Sequence, residues 1–527
     1  MKSAFILFLV FNMNASLALA GWSGASADRN ISFYTNDTRQ SSNTRITVGP
    51  EGNLYAVWRQ GESSGAREIY FSRSTDNGVS WSSETWDSPI SAVDGQSVIN
   101  NGDKCIGIDT DSQGNIYIVW AERLNLYREI MLLKSTDYGV TWIHSDADFN
   151  ISFDGAPLKD ADDPDIAIDS NDDIYVVWYQ DTFSDSSEIH ISISTDAGDN
   201  WTGRTADRVI SFDDSRDASN PDIAIAPNDD IYVVWDEFSV PGDVTYSYIQ
   251  YGKSTDGGAT FNSEIADYPI STAIRGGDDA YLEIDSSGNV HVIWQGTLAV
   301  AAPFYYEIFY SRSTDGGSTW NATSGPITVD PGVADNSAAS NPGLAITSDG
   351  NLIAVWHEAH PTLSNREIWA SYSTDGGDTW SGNTDADLLS FPDGYSGWNP
   401  DIVAGVGDTL HVVWEEGVTS SLYYDVHYSK GDTLATGGGG GGGCDYVVGD
   451  VNDSGTLNGL DVTYGVSYFK GGALPPYECE CTPGNTWYVG GDVNGSCTYN
   501  GLDITYLVTY FKGGSDPLPC ADCPPSG

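Results

Sequence analysis

Short runs of β-branched and aromatic residues recur from Tyr55 to Trp414, separated by polar, glycine-rich turns. Seven of them close on a tryptophan (Trp58, Trp120, Trp178, Trp235, Trp294, Trp356 and Trp414), a period of about 60 residues. The third repeat shows the unit. Pro164–Ser170 and Asp173–Trp178 are apolar runs joined by Asn171-Asp172, a tight hairpin signal. Glu188–Thr195 then alternates apolar with polar residues, as a strand with two unlike faces does. After a turn, Arg208–Phe212 supplies a fourth short strand. The region has no helical periodicity. Four antiparallel strands per repeat, set around an axis, predict an all-β fold: a seven-bladed β-propeller of four-stranded blades, an architecture that protects its sheet edges.

The ends of the array predict how the ring closes. Repeats one to six finish with a short apolar run at Ile90, Ile151, Ile210, Ile270, Ile327 and Leu389, whereas the seventh stops at His427–Thr433 without one. The missing piece stands near the N-terminus as Arg29–Asp37, RNISFYTND, close in sequence to FNISFDG at Phe149. Ile31–Phe33 is therefore expected to be the outer strand of the last blade.

Between the third and fourth strands one phrase returns six times: RSTDNGVSW at Arg73–Trp81, KSTDYGVTW at Lys134–Trp142, then ISTDAGDNW, KSTDGGATF, RSTDGGSTW and YSTDGGDTW. One site cannot use six copies of a residue, so Asp76, Asp137, Asp196, Asp256, Asp315 and Asp375 are expected to hold turn amides. The aromatic residue five positions on reads as packing. So does the acidic residue opening the third strand (Glu68, Glu129, Glu188, Glu307, Glu367, Asp425).

This phrase resembles the Asp-box, or BNR repeat, and the propeller resembles the sialidase-like superfamily. In that family three arginines clamp a substrate carboxylate beside a Tyr–Glu nucleophile pair and an Asp acid. Arg45, in TRITVGPEGNLYAVW, loosely matches the family's RIP phrase without its proline and is the one catalytic candidate. The other two arginines and the nucleophile have no assigned counterpart, and such sialidases have six blades rather than seven. Whether the propeller is a glycoside hydrolase stays open. Binding residues are expected where repeats differ, on loops of the face away from the Asp-boxes. Arg123, Tyr127, Arg275, Tyr305, His357 and Trp398 are the candidates there for sugar contact, alongside a surface-packing reading of the same side chains.

Met1–Ala20 reads as a secretory signal, with Lys2, an apolar run and Ala18-Leu19-Ala20 before Gly21, so residues 21–435 are expected to be an exported propeller. Against 22 Lys and Arg stand 75 Asp and Glu, a net charge of −53, which disfavours nucleic acid and anionic membrane surfaces as partners. Cys105 stands alone, while Cys444, Cys479, Cys481, Cys497, Cys520 and Cys523 crowd the last segment as an even set suited to disulfides, with zinc the weaker alternative.

A linker at residues 436–443, seven of them glycine, separates the propeller from residues 444–527. Gly449–Gly472 and Gly491–Gly514 are near-copies, each a twelve-residue loop with oxygen side chains at alternate positions followed by a helix-compatible run. Asp450, Asn452, Ser454, Thr456 and Asp461 in one loop, and Asp492, Asn494, Ser496, Thr498 and Asp503 in the other, occupy positions that suit Ca2+. The duplicated unit resembles the dockerin domain. That resemblance implies about two calcium ions, a cohesin-like partner, and partner recognition through Gly459, Leu460, Gly501 and Leu502. Two departures weaken the loops: serine at position five, and Cys497 where a positive φ favours glycine.

Together these features predict a secreted or cell-surface modular protein. Its propeller binds or processes extracellular carbohydrate and its calcium-dependent tail docks to a larger assembly. A non-catalytic protein with a protein-binding propeller is the alternative, and an exo-sialidase or other glycoside hydrolase a further one.

Overall fold

The computed structural model describes Trp22, residues 29–32, and residues 39–431 apart from 63–64, 85–87, 100–103, 125, 146, 153–158, 182–185, 205–207, 241–242, 272–274, 298–305, 322–337, 360–364, 382–386, 391–393 and 418–423; beyond these it describes 448–449, 451, 457, 459–470, 479–482, 485–487, 491–494, 498–512 and 517–518. The chain divides into two compact units, one spanning Ser16–Leu434 and the other containing Ala435–Gly527.

The first unit holds seven antiparallel sheets of three or four described strands, numbered here one to seven along the chain. Their inner strands are Arg39–Val48, Ile106–Thr110, Ala161–Ile168, Ala218–Ile225, Arg275–Ile284, Ser340–Ile346 and Ser396–Ala404. The arrangement is propeller-like. Each second strand is covered on both faces by its neighbours, which is why it reads as a continuous apolar run rather than an alternation. All seven repeated tryptophans lie there, none more than 3% exposed. The core runs between sheets: Tyr55, Val57 and Phe71 of sheet one pack with Ile116, Ile118 and Trp120 of sheet two.

The fourth strands are short because a serine interrupts the ladder. Ile90, Ile151, Ile210, Ile270 and Leu389 each donate their N–H to a carbonyl of the third strand at 2.8–2.9 Å. The next residue then accepts, through its hydroxyl, the N–H of that same third-strand residue, as Ser211 does from Ile189 at 2.9 Å. Ile31 and Ser32 do the same in sheet seven, Ile31 donating to Val426 O at 2.8 Å and Ser32 Oγ accepting from Val426 at 2.9 Å. The N-terminal segment thus takes the outer place beside Tyr424–Gly431, with Arg29 opposite Tyr428 and Asn30 opposite His427. The paired strand is Arg29–Asn30 rather than Ile31–Phe33, because the Ser32 hydroxyl replaces the carbonyl that would continue the ladder; Phe33 and Ile327 lie outside the described residues. Sheets one, four and five show three described strands where four were expected.

The repeated side chains are scaffold. In each Asp-box turn the carboxylate accepts the N–H four residues on at 2.8 Å, as Asp256 does from Thr260 and Asp315 from Thr319. These bonds, first from the i+4 side chain and then from its amide, hold Asp76 down to about 2. The acid opening the third strand accepts from the fourth-strand serine: Ser91 to Glu68 at 2.8 Å and Ser211 to Glu188 at 2.6 Å. The basic residue just before S-T-D reaches the next sheet's box. Arg73 Nη1 donates to Tyr138 O at 2.8 Å and Lys134 Nζ to Ala197 O at 2.7 Å.

In the second unit two helices, α1 (Gly459–Phe469) and α2 (Gly501–Tyr510), follow the two loops, and Cys479–Thr482 pairs with Asn485–Trp487. No described helix is long and apolar enough to cross a membrane.

Candidate functional site

Six of the seven inner strands carry a break in register, with an asparagine or aspartate in the left-handed region at its centre: Asn43, Asp163, Asn220, Asp279, Asn341 and Asn399, at φ 48–55°. Among residues other than glycine these two types tolerate that region best. The bulge amide is capped from the preceding sheet by the side chain that follows the repeated tryptophan. Asn43 N–H donates to Glu415 at 2.6 Å, Asn341 N–H to Gln295 at 3.0 Å and Asn399 N–H to His357 Nδ1 at 3.3 Å.

Two residues past the bulge stand Arg45, Asp165, Asp222, Tyr281, Gly343 and Asp401. The three aspartates pin the next sheet: Ile223 N–H donates to Asp165 at 3.0 Å, Leu282 N–H to Asp222 at 2.7 Å and Ile46 N–H to Asp401 at 2.8 Å. Arg45, Tyr281 and Gly343 interrupt this series, and Arg45 and Tyr281 face the axis together with the three aspartates.

Strands from all seven sheets line one cavity of about 350 Å³ there. Arg45, Lys104 and Tyr281 also line a second, much smaller cavity with Asp279, Asn341 and Asn399, so these three form the partition between them. Lys104, from sheet two, crosses to sheets four and five: its Nζ lies 3.1 Å from Asp222 Oδ1, bonds Ala280 O, and sits 3.9 Å from the centre of the Tyr281 ring. The Arg45 guanidinium carbon lies 5.7 Å from the same ring. The larger cavity extends from this partition to Asp109, Ile168, Ile225 and Ile284, the strand ends that lead into the first hairpins. Those hairpins neighbour the Asp-box turns, since Tyr117 OH contacts both Asp111 and Ala197 O. The described cavity is thus on the Asp-box side, whereas the expected binding loops belong to the other face.

The cavity's titratable groups shift together. Burial opposes the charge of Arg45, but Tyr281, Asp401, Asp165 and Asp222 outweigh it and hold the guanidinium ionised. Burial, then repulsion from Asp222 and other carboxylates, raises Glu283 to about 8. Burial also lifts Asp109 to about 7, and burial with Asp222 lifts Asp165 to about 7. Carboxyls protonated near neutrality beside a fixed cation can donate protons and bind hydroxyl-rich or anionic groups.

The other expected residues scatter. Arg123 is exposed and Tyr127 half-buried at the tip of one hairpin in sheet two. His357 is buried, and Trp398 lies 5.1 Å from its ring with the Arg366 guanidinium 4.3 Å above. Burial, then the Arg366 charge, pulls His357 down to about 3, so it is a neutral cap. Arg275 starts the inner strand of sheet five; its side chain, like all of Tyr305, lies outside the described residues. Lys104, Tyr281, Asp109 and Glu283 were not singled out from sequence. Part of the signal is in the sequence: the inner strands repeat Pro-Asp-Ile at 164–166, 221–223 and 400–402, and Arg45 and Tyr281 stand where its aspartate would, whereas Lys104 lies three residues before the matching Gly107.

In the tail, the second loop brings its donors together. Asp492 and Asp503 are 3% and 0% exposed. Asn494 Nδ2 and Val493 N–H donate to Asp503 Oδ1 at 2.6 and 3.3 Å, and its Oδ2 accepts from Asn500 N–H at 2.8 Å. Burial first, with Asp492 adding, pushes Asp503 up against the pull of those amides. Two buried carboxylates, one of them bonded by Asn494, fit a hard cation, with exposed Thr498 further along the same loop. Ser496, Asp450, Asn452, Ser454, Thr456 and the Asp461 and Leu460 side chains lie outside the described residues, as do the six clustered cysteines' side chains; Cys105 is a buried thiol. Leu502 is 70% exposed at the start of α2, where Gly501 also lies, and Gly459 begins α1.

Residues 172–402 match the BNR repeat-like domain. No protein of curated function matches the chain. Among solved structures, an ulvan lyase of a polysaccharide lyase family is 13% identical over 77% of this chain and 95% of its own, with a TM-score of 0.50. An α-L-arabinanase of Penicillium chrysogenum bound to arabinobiose is 14% identical over 78% and 98%, with a TM-score of 0.44. A protein of unknown function from Dyadobacter fermentans is 14% identical over 77% and 99%, with a TM-score of 0.45. The likeness is one of fold.

Proposed function

We propose that this is an exported protein whose seven sheets close into a ring that binds and processes extracellular carbohydrate, carried on a calcium-dependent docking tail. The observation that carries the reading is the break in the stapling series. Where the repeat calls for aspartate, Arg45 and Tyr281 turn to the axis, joined by Lys104 and by carboxyls held near neutrality. Scaffold positions obey the repeat, and positions that recognise a ligand depart from it. Enzymes acting on carbohydrate among the solved structures of like fold agree with a sugar ligand.

In the tail, Asp492, Asn494, Thr498 and Asp503 would hold calcium, and exposed Leu502 with Gly501 would meet a cohesin-type partner. The same roles pass to the first loop and to Gly459 and Leu460 by the internal repeat.

The test is a glycan array with the full chain, followed by hydrolysis and lyase assays on arabinan, sialosides and uronate-containing polysaccharides. Binding that Arg45→Ala reduces at least tenfold supports the reading. Silence in every assay favours a protein-binding propeller instead.

A further inference from the structure

Two places in the seven-sheet unit are built to one plan. On leaving sheets one and three the chain makes the same turn, with Gly95 at φ 87° and Ser215 at φ 68°. The next residue's N–H donates back across it, Gln96 to Asp94 Oδ1 at 2.7 Å and Arg216 to Asp214 Oδ1 at 3.0 Å. Beyond the turn, Arg123 N–H bonds Ser97 O and Phe238 N–H bonds Asp217 O. Asp94, Glu122 and Asp148 therefore correspond one for one to Asp214, Glu237 and Asp267. In each trio one oxygen from every carboxylate lies within 4.8 Å of the others.

One trio already holds a cation. Arg216 Nη1 lies 2.8 Å from Glu237 and 2.9 Å from Asp267, and its Nε 3.1 Å from Asp214. At the position of Arg216 the other trio has Gln96, a neutral amide. Its central acid, Glu122, is 2% exposed and accepts from Trp120 Nε1 at 2.8 Å; half-buried Asp148 accepts from Ala92 N–H at 3.1 Å through Oδ1, while its Oδ2 is sealed from solvent with no partner outside the trio. Three convergent carboxylates without a counter-charge repel one another, and the duplicate shows what the geometry receives.

We propose that Asp94, Glu122 and Asp148 bind a divalent cation of calcium type in the place that the Arg216 guanidinium fills in the duplicate trio. Calcium takes oxygen ligands at about 2.3–2.6 Å, so oxygens on opposite sides of one ion stand up to about 5 Å apart, which the trio's spacing satisfies. Asp94 is exposed, leaving the outer positions to water. The ion would tie the connection after sheet one to the second and fourth strands of sheet two.

The experiment counts bound Ca2+ per full-length chain by equilibrium dialysis after chelation, in the natural protein and in Gln96→Arg, Glu122→Gln and Arg216→Gln. Tail loops contribute equally to all four, so differences report on the propeller alone. Gln96→Arg and Glu122→Gln are expected to bind one ion fewer, and Arg216→Gln one more. Circular dichroism and melting establish that each variant is folded. Unchanged counts in folded Gln96→Arg or Glu122→Gln overturn the proposal, and leave a proton shared between Glu122 and Asp148 as the occupant. Should Arg216→Gln fail to fold, the first two variants decide.

Discussion

Asp401 Oδ2 accepts the backbone N–H of Ile46 at 2.8 Å, across 355 positions of sequence. It joins sheet seven to sheet one by the same bond that Asp165 makes from sheet three to Ile223 of sheet four. The junction has three further hydrogen bonds from described residues: Asn43 N–H to Glu415 at 2.6 Å, Arg29 Nη1 to Gly78 O at 3.0 Å, and Ser83 Oγ to Ile31 O. Stripping the acceptor from a buried amide costs about 1–3 kcal/mol. Asp401→Ala and Asp165→Ala are therefore expected to lower unfolding free energy equally, as measured in guanidinium titrations. A much smaller loss for Asp401→Ala would mean that sheets seven and one part in solution. Removing residues 21–32 should lower the melting temperature further than either.

The straps between boxes should matter for stability and not for ligand. Arg312 reaches Gly376 O and lies 3.0 Å from Asp378. Arg312→Met is expected to lower the melting temperature by about 1–2 °C, the shift that roughly 1 kcal/mol gives a unit as large as Ser16–Leu434. Glycan binding should stay unchanged, and a loss of binding at constant stability would contradict the scaffold role.

Stability should fall as pH rises above 6.5. Burial first raises Glu188 to about 8, Glu68 to about 7 and Glu283 to about 8 in the folded protein. A carboxyl whose folded value exceeds its unfolded value stabilises fully below the unfolded value, and that contribution is lost as pH climbs through the folded one. The buried histidines act oppositely. Burial pulls His190 to about 3 and His411 to about 4, so their contribution is complete above 6.5 and lost only on acidification. Between pH 6.5 and 8 the carboxyls act unopposed by them, each worth at most about 1.4 kcal/mol per pH unit. Melting curves across this window should slope downward, and less steeply in Glu188→Gln, which keeps an acceptor for Ser211.

Calcium should govern the tail's helices. The Asp503 carboxylate serves both as a candidate ligand and as the N3 partner of the Asn500 cap. Chelation is expected to reduce ellipticity at 222 nm, a helical signal to which the seven-sheet unit adds no described α-helix. Asp503→Ala should lower that signal and make it indifferent to calcium. Equal ellipticity with and without the ion would remove calcium from the account of this domain.

The repeat period, the strands and the role of the box aspartates could be read from residues because each is written many times over in one pattern. The partner of the N-terminal segment was legible for the same reason: Ile31-Ser32 copies Ile151-Ser152. The bulges were not. A positive φ at Asn220, Asp279 or Asn399 leaves no mark on hydrophobic periodicity, and it decides that Asp222, Tyr281 and Asp401 stand where they do. His357 and Trp398 were read as rim side chains because they follow or adjoin strand ends. In three dimensions they are spent on capping Asn399 and stacking with Arg366. A hydrogen-bond acceptor for the next repeat and a ligand contact look alike in one dimension.

The straps that run from each third or fourth strand to the following box all point the same way along the chain. Sheets one to five therefore each carry a fastening for the sheet that follows and a socket for the one before. Adding or excising a whole repeat at such a boundary would orphan neither donor nor carbonyl, so blade number can change by unequal exchange of coding segments without a compensating mutation.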